Sequence, residues 1–388
     1  MIRSLRIQIL ALTAMRVVLN TMHRMVYPFL PVFSRALGVS LPALSIALTL
    51  RSLLGAIGPF LASISDSRGR KLVMALGLLF FTAGVGLVAL RPVYLTFVLA
   101  LLLAVLGKLI FDPSMQAYLG DRVPYERRGR ALAVTELSWS VSFILGMPVV
   151  GLLLSRGGWV APFPVLAFLG LCSIAGLAWL LPGDRPDDQN LPGFRSNLRT
   201  VFTSERALIA LSLGVLVTSA NEVVNLVFGV WMDDSFGLKI AALGAASVVI
   251  GVAELGGEAL VGGLVDRLGK ARAIGIGLIL NSLAAMALPV LGTSVPGALV
   301  GLFLFFITYE FTLVSLIPMM TEILPEARAT LMAANAAGLS LGHAAGALFA
   351  TPLYGLGILA SGGAAAVLNL LALVALQLLR KKMGDRQV

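Results

Sequence analysis

The chain has 388 residues, of which 58% are hydrophobic and only 12% charged, and its mean hydropathy is +0.96. Soluble domains carry about 25% charged residues, so a water-soluble globule is excluded. The net charge of +10 raises nucleic-acid binding as a possibility, but no basic face with aromatic platforms is visible in the sequence.

Apolar runs approaching the roughly 20 residues that cross a bilayer are predicted at 6–31, 41–64, 72–90, 93–120, 130–154, 160–181, 206–232, 239–265, 271–291, 296–321, 328–353 and 358–379, numbered here as spans 1 to 12. They are too long and too continuously apolar for barrel strands. Span 1 lacks a small-residue cleavage site and reads as a retained span rather than a signal peptide.

Span 1 carries a polar stripe, Arg16, Asn20, His23 and Tyr27, spaced four, three and four, with Arg24 beside it. Span 2 contains Arg51. A charged turn follows, Asp66-Ser67-Arg68-Gly69-Arg70-Lys71. In span 4, Lys108 and Asp112 lie four apart and share a helix face, and Asp121 ends the helix. Span 5 holds Glu136 and then Ser142-Phe143-Ile144-Leu145-Gly146-Met147-Pro148-Val149-Val150-Gly151. Small residues allow helices to approach closely, and proline removes a backbone hydrogen bond. The single cysteine, Cys172 in span 6, excludes an internal disulfide and any cysteine-built metal site, and reads as a packing residue.

The polar stretch 182–204 is rich in turn formers and charge, and is expected to be a solvated linker. Arg195 and Arg199 leave open a short helix on the membrane surface. Thr218, Asn221, Glu222 and Asn225 cluster in span 7. Glu254, Glu258, Gly262 and Asp266 run along one face of span 8. Tyr309, Glu310 and Thr312 cluster in span 10. His343 stands beside Gly342 and Gly346 in span 11, where a packed histidine is expected.

The charged turn recurs as Asp266-Arg267-Leu268-Gly269-Lys270. Asp66, Gly69 and Arg70 match Asp266, Gly269 and Lys270 at an offset of 200. A repeat half the length of the chain implies a duplicated architecture, with bundles 1–181 and 205–388 joined by 182–204. Of the 29 Lys and Arg residues, Arg16, Arg24, Arg51 and Lys108 fall within spans. If the N-terminus is cytoplasmic, only Arg35, Arg91, Arg156 and Lys239 fall in the opposite loops. This positive-inside bias predicts that both termini are cytoplasmic, so the basic excess is a topology signal.

The acids within spans are Asp112, Glu136, Glu222, Glu254, Glu258 and Glu310. A charge facing lipid costs at least a few kcal/mol, so these groups are expected to face a cavity or a partner. Spans 3, 6, 9 and 12 carry no charge in their membrane portion, as a three-helix repeat with an outer third member predicts. The first half has four intramembrane bases and two acids, and the second has four acids and no base. That asymmetry predicts charge pairing between halves, or a cation held in the second half.

With these features the chain resembles a transporter of the major facilitator superfamily, in particular its twelve-helix drug:proton antiporter group. The turn is similar to the family's loop motif Gly-x-x-x-Asp-Arg-x-Gly-Arg-Arg/Lys. Asp66, Gly69, Arg70 and Lys71 match, while Ala62 and Ser67 depart from it. Span 5 resembles the antiporter motif, with Met147 inserted between Gly146 and Pro148 and Ser142 in place of the first glycine. Span 4 departs, since Leu101 stands where drug exporters carry an arginine, so that arginine's coupling scheme is not carried over.

The resemblance implies an all-α integral membrane fold of two six-helix halves, each with inverted three-helix repeats, rocking around a central site. Spans 1, 4, 7 and 10 would line the cavity. Candidate substrate- or proton-binding residues are Arg16, Arg51, Lys108, Asp112, Glu136, Asn221, Glu222, Asn225 and Glu310. Candidate gating residues are Asp66, Gly69, Arg70, Asp121, Gly146 and Pro148, with Asp66, Arg70 and Asp121 clustering against the start of span 11 when the cavity faces outward. Glu222 and Glu310 lead as proton or cation sites, because burial penalises an ionised carboxylate. The opposing reading is that Arg16 or Lys108 holds them ionised.

The expected function is proton-coupled efflux of amphipathic or cationic small molecules by a monomer in the cell membrane. The expected partners are substrate, protons and membrane lipid, with no cofactor, metal or nucleic acid. The alternatives are a carrier of sugars, anionic metabolites or lysolipids, and a transporter-like receptor that moves nothing. No phosphate-binding Gly-Lys-Ser/Thr motif, nucleophile motif or histidine metal pattern points to an enzyme.

Overall fold

The structure, a computed structural model, describes residues 5–58, 69–182 and 194–384. Among the described residues every regular element is helical, as expected where lipid leaves the backbone no other hydrogen-bond partners. Ten helices are long and apolar enough to cross a membrane. Among the described residues the number rises to eleven if the bent pair Leu30–Leu37 and Leu41–Gly55 counts as one span; helices also stand at the two remaining predicted places, spans 2 and 11. Span 2 is described as Leu41–Gly55, and its continuation from 59 lies outside the described residues. Span 11 is Arg328–Tyr354, 27 residues long and rich in Ala and Gly.

Most spans are single helices whose ends fall close to the predicted limits: Arg70–Leu90, Tyr94–Arg122, Pro162–Leu180, Ile240–Leu268, Lys270–Leu291, Val295–Ile323 and Ile358–Met383. The first span of each half is broken. Leu5–Met25 is followed by Leu30–Leu37, and Glu205–Asn225 by Phe228–Phe236. The first break coincides with Pro28, which disfavours helix at the residue before it, whereas the second forms without a proline. Both short helices end on a left-handed glycine, Gly38 at φ 65° and Gly237 at φ 59°, a conformation glycine adopts at little cost. After Gly38 the chain bends by 115° into span 2. Gly69 and Gly269 cap the third span of each half with φ of 85° and 84°. The duplication therefore extends to backbone angles.

The chain packs as two compact units. One comprises residues 1–40, 57–190 and 238–251, and the other 41–56, 191–237 and 252–388. Each unit thus takes in a segment from the opposite half of the sequence. In the first unit, Gly244 and Gly251 of span 8 lie against span 5. A Cβ at Gly244 would stand 2.6 Å from the Met147 carbonyl, and one at Gly251 would stand 2.9 Å from that of Ser140. In the second unit, Ser45 Oγ donates to the Ala347 carbonyl, and Thr49 Oγ1 donates to that of Ala344 at 3.5 Å.

Three details differ from expectation. Phe194–Thr203, within the expected linker, is a helix, and its Val201 is fully buried in the second unit's core beside Ile323 and Leu331. Cys172 is exposed rather than packed. Span 6 is apolar all round, so its sequence carries no signal of which face turns inward. Spans 6 and 12 are the least buried of the ten, at 28% and 39%, but span 3, at 50%, is buried as much as span 4. The outer-helix expectation therefore holds for only part of the charge-free set.

Candidate functional site

In the first unit the polar stripe of span 1 meets the acids of spans 4 and 5. Arg16 Nε donates to Asp112 Oδ1 at 3.2 Å, and its Nη1 lies 2.8 Å from Glu136 Oε1 and 3.0 Å from the Thr135 carbonyl. Lys108 Nζ donates to Asp112 Oδ2 at 2.6 Å and to Asn20 Oδ1 at 2.7 Å. Asn20 Nδ2 in turn donates to Ser138 Oγ at 3.2 Å. Two bases and two acids thus neutralise one another in a connected network. In a low-dielectric site such a network is favourable only when its members are hydrogen-bonded throughout. Arg16 and Lys108 thus both bind acids of their own half.

Span 5 is irregular where span 1 meets it. Its helix breaks at Leu137, runs through Ser138–Val141, and widens into a π-helical turn over Ser142–Gly146 before continuing as Met147–Gly157. Such turns change the pairing of nearby carbonyls and recur at functional sites. Arg24 Nη1 donates to the Trp139 carbonyl at 3.1 Å. Its guanidinium lies 4.3 Å from the Trp139 ring centre and 3.6 Å from that of Phe143, within cation–π range. Lys108 Nζ also stands over Trp139, at 5.5 Å. Trp139 and Phe143 are site residues that sequence reasoning missed, since an aromatic in an apolar span reads as core. Gly146 faces span 1, where an added Cβ would lie 2.6 Å from Thr21 Oγ1. Pro148 is the second residue of the continuing helix.

In the second unit the acids sit in tight contacts between spans. Span 11 lies close on span 7. Ser219 Oγ donates to the Gly342 carbonyl at 3.0 Å, Thr218 Oγ1 donates to that of Leu339 at 3.2 Å, and a Cβ at Gly346 would stand 2.6 Å from Glu222 Cβ. Glu222 is fully buried. Its Oε2 accepts from Asn225 Nδ2 at 3.3 Å and lies 4.0 Å from His343 Nε2. The side-chain carbonyl oxygens of Asn221 and Asn225 are buried without a hydrogen-bond partner. Glu310 of span 10 is buried and packs beside Gly257 of span 8. Glu254 is buried as well. Arg51, only 2% exposed, belongs to this unit through residues 41–56. The acid-rich half therefore gains a buried base that its own spans lack.

At the predicted gate, Arg70 Nε pairs with Asp121 Oδ2 at 3.1 Å. The repeat-related Lys270 pairs with Glu322 in the second unit. Asp66 lies outside the described residues. Gly69 begins the helix at Arg70. Among the described residues, no group of three His, Cys, Asp or Glu is placed to hold a metal ion.

The family model for the Major Facilitator Superfamily matches residues 12–347, with a second match at 211–387. The chain belongs to the major facilitator superfamily. It is 26% identical over 342 residues to the uncharacterized MFS-type transporter YceJ of Bacillus subtilis (strain 168), covering 87% of this chain and 86% of that protein. Over 147 residues, 37% of each chain, it is 31% identical to the chloramphenicol resistance protein of Streptomyces lividans. Among solved structures it superposes on a bacterial homolog of the human lysosomal transporter Spinster in an inward-facing, occupied conformation. That match has a TM-score of 0.79 and 15% identity and covers 97% of both chains. It also superposes on the human organic anion transporter MFSD10, with a TM-score of 0.68 and 19% identity, covering 97% of this chain and all of that one. These structural likenesses define the fold. The protein is thus a multi-pass membrane transporter of this superfamily, a class that binds small-molecule substrates.

Proposed function

We propose that this transporter is a proton-coupled exporter of amphipathic or cationic small molecules, working by alternating access as a monomer in the cell membrane with both termini cytoplasmic. The observation that carries this reading is the trio of buried acids, Glu222, Glu254 and Glu310, in one compact unit. A carboxylate buried in a membrane protein resists ionisation unless a base or hydrogen bonds hold it. Proton binding can therefore favour one conformation over another, which is what coupling requires. The resistance proteins among its relatives support export of drug-like compounds. The basic excess on one side of the spans supports the orientation. Asn221, Asn225 and Arg51 are proposed to shape the same site.

A second reading, transport of an organic anion, is favoured by Arg24 and Lys108, whose charged groups both stand over the Trp139 ring. Proteoliposomes loaded with a lipophilic cation or an organic anion, with and without a pH gradient, separate the two. Gradient-driven movement of the cation supports export by proton exchange. Movement of the anion alone transfers the substrate role to the first unit, and no gradient dependence for either removes proton coupling.

A further inference from the structure

A cavity of about 570 Å³ opens in the second unit, at the end of span 7 remote from the helix Phe194–Thr203. Its size falls within the roughly 300–1,000 Å³ of small-molecule sites. Its walls come from the short helix Phe228–Phe236, from the end of span 11 and the turn into span 12, and from Leu41 and Pro42. All of these belong to the same compact unit. Trp231 and Asp234 lie three apart and share a face of the short helix. Trp231 is buried against Gly292, where an added Cβ would stand 2.3 Å from its ring, so this part of the wall is fixed.

Two polar groups on the wall lack the partners such groups ordinarily have. Asp234 Oδ2 accepts from the Tyr354 hydroxyl at 3.0 Å, yet the carboxylate forms no ion pair among the described residues. Among the described residues lining the cavity, none is basic. Thr351 is 7% exposed, and its hydroxyl has no hydrogen-bond partner. A helical threonine can donate to the carbonyl four residues earlier. Here that residue is Ala347, whose carbonyl instead accepts from Ser45 Oγ. Nor does the duplicated scaffold require the acid. The repeat-related position is Ser34, whose hydroxyl donates to the Val39 carbonyl at 2.7 Å.

We propose that this cavity is a binding site for a protonated amine with an apolar body. Asp234 is its counter-ion, Tyr354 is the residue that positions the carboxylate, and Thr351 offers a hydroxyl oxygen to an ammonium N–H. Trp231, Leu41 and Ile358 cover the apolar part of the ligand. An ammonium ion supplies the positive charge and the N–H donor that the wall lacks, whereas an anionic ligand would meet Asp234 with like charge. The ligand class deepens the export reading, on which the site's place at the exit side rests. With both termini cytoplasmic, the end of span 7 faces outward.

Ser235 lines the cavity and is exposed, so Ser235→Cys, combined with Cys172→Ser, reports on this site alone. Purified protein is alkylated with a maleimide in the presence of rising N,N-dimethylbenzylamine, which is protonated at pH 7, or of benzoate. The expected result is protection that saturates with the amine and is absent with benzoate. Asp234→Asn should weaken that protection by about tenfold, the loss of one charge-assisted contact. Tyr354→Phe should weaken it too, and should add nothing once Asp234→Asn is present, because the hydroxyl acts through the carboxylate. Alkylation indifferent to the amine, equal protection by benzoate, or protection unchanged by Asp234→Asn overturns the proposal. If Ser235→Cys does not fold, Pro42→Cys on the same wall gives the same readout. Protection without gradient-driven movement of a lipophilic cation in proteoliposomes keeps the site and removes the export reading. Gradient-driven movement without protection keeps the export reading and removes the site.

Discussion

Phe111 and Phe311 occupy the same place in the two halves, 200 residues apart, each packed against a glycine of the preceding span, Gly77 or Gly277. The neighbouring positions diverge. Lys108 and Asp112 in the first half become Thr308 and Thr312 in the second. Thr308 accepts from Asn281 at 3.1 Å, where Lys108 and Asp112 form a buried ion pair. On the first span of each half the difference reverses, with Met22 at the place of Glu222. The duplicated scaffold therefore holds two unlike polar clusters. In the first, opposite charges satisfy one another across spans 1, 4 and 5. In the second, the buried Glu222 accepts from the Asn225 amide, and His343 Nε2 lies 4.0 Å from it. The first cluster is closed by ion pairs between spans 1, 4 and 5, whereas the second is packed through the close contact of spans 7 and 11.

The largest effect expected from this difference is on folding. Asp112→Asn leaves Arg16 and Lys108 without their shared carboxylate, and breaking a buried pair in this way costs about 3–5 kcal/mol. Glu222→Gln keeps an acceptor oxygen for Asn225 and should change stability by about 1 kcal/mol or less. Thermal unfolding in detergent, run side by side, measures both. The reverse order would make the second cluster the structural one.

Transport should rank the two clusters the other way. Glu222→Gln and Glu310→Gln, made separately, are expected to reduce accumulation against a pH gradient to the level seen without one, while passive exchange persists. Proteoliposome uptake with and without the gradient measures this. If both variants accumulate substrate like the parent, the coupling role moves to Asp112 and Glu136 in the first unit.

Much of this was legible in the sequence because the physics acts locally. The apolar runs, the repeated glycine at 69 and 269, and the uneven placement of Lys and Arg are each features of local composition and spacing. Candidate site residues were legible as charges too costly to leave in lipid. Their partners were not. Lys108 with Asp112 follows from helical spacing, but Arg16 with Glu136 depends on a contact across 120 residues that no periodicity encodes. His343 read as packing because only the approach of span 11 to span 7, through Gly342 and Gly346, brings it near Glu222. The π turn in span 5 and the exposure of Cys172 had no sequence signal that separates them from ordinary apolar helix.

Spans 5 and 11 sharpen the contrast through their glycines. Span 11 runs unbroken from Arg328 to Tyr354, whereas span 5 changes its winding at Ser142–Gly146. A leucine at Gly146 collides with Thr21, and overpacking of this kind costs about 1–3 kcal/mol. Gly146→Leu should therefore slow exchange while the protein still folds, and Thr21→Ala in the same chain should restore part of the rate. Purified variants compared by size-exclusion profile and by substrate exchange decide it. Normal exchange by Gly146→Leu removes the hinge role from this turn.

The smallest effect concerns the two ion pairs at the repeated turns. Arg70–Asp121 and Lys270–Glu322 start from repeat-related bases, with acids one position out of register, and in each the acid is about half exposed, at 54% and 45%. Pairs this open to water contribute about 1 kcal/mol at most, and salt near 1 M screens them within about 3 Å. A double-mutant cycle on each pair, with Arg70→Met and Asp121→Asn or Lys270→Met and Glu322→Gln, should therefore give coupling energies of about 1 kcal/mol or less that shrink in high salt. The two should differ in transport, because the turn at Gly69 and Arg70 matches the superfamily's loop motif more fully than the turn at Gly269 and Lys270. Arg70→Met is expected to slow exchange more than Lys270→Met at equal loss of stability. Equal slowing would mean that both turns gate, so that the scaffold's symmetry extends to its motion even though its buried charges are divided.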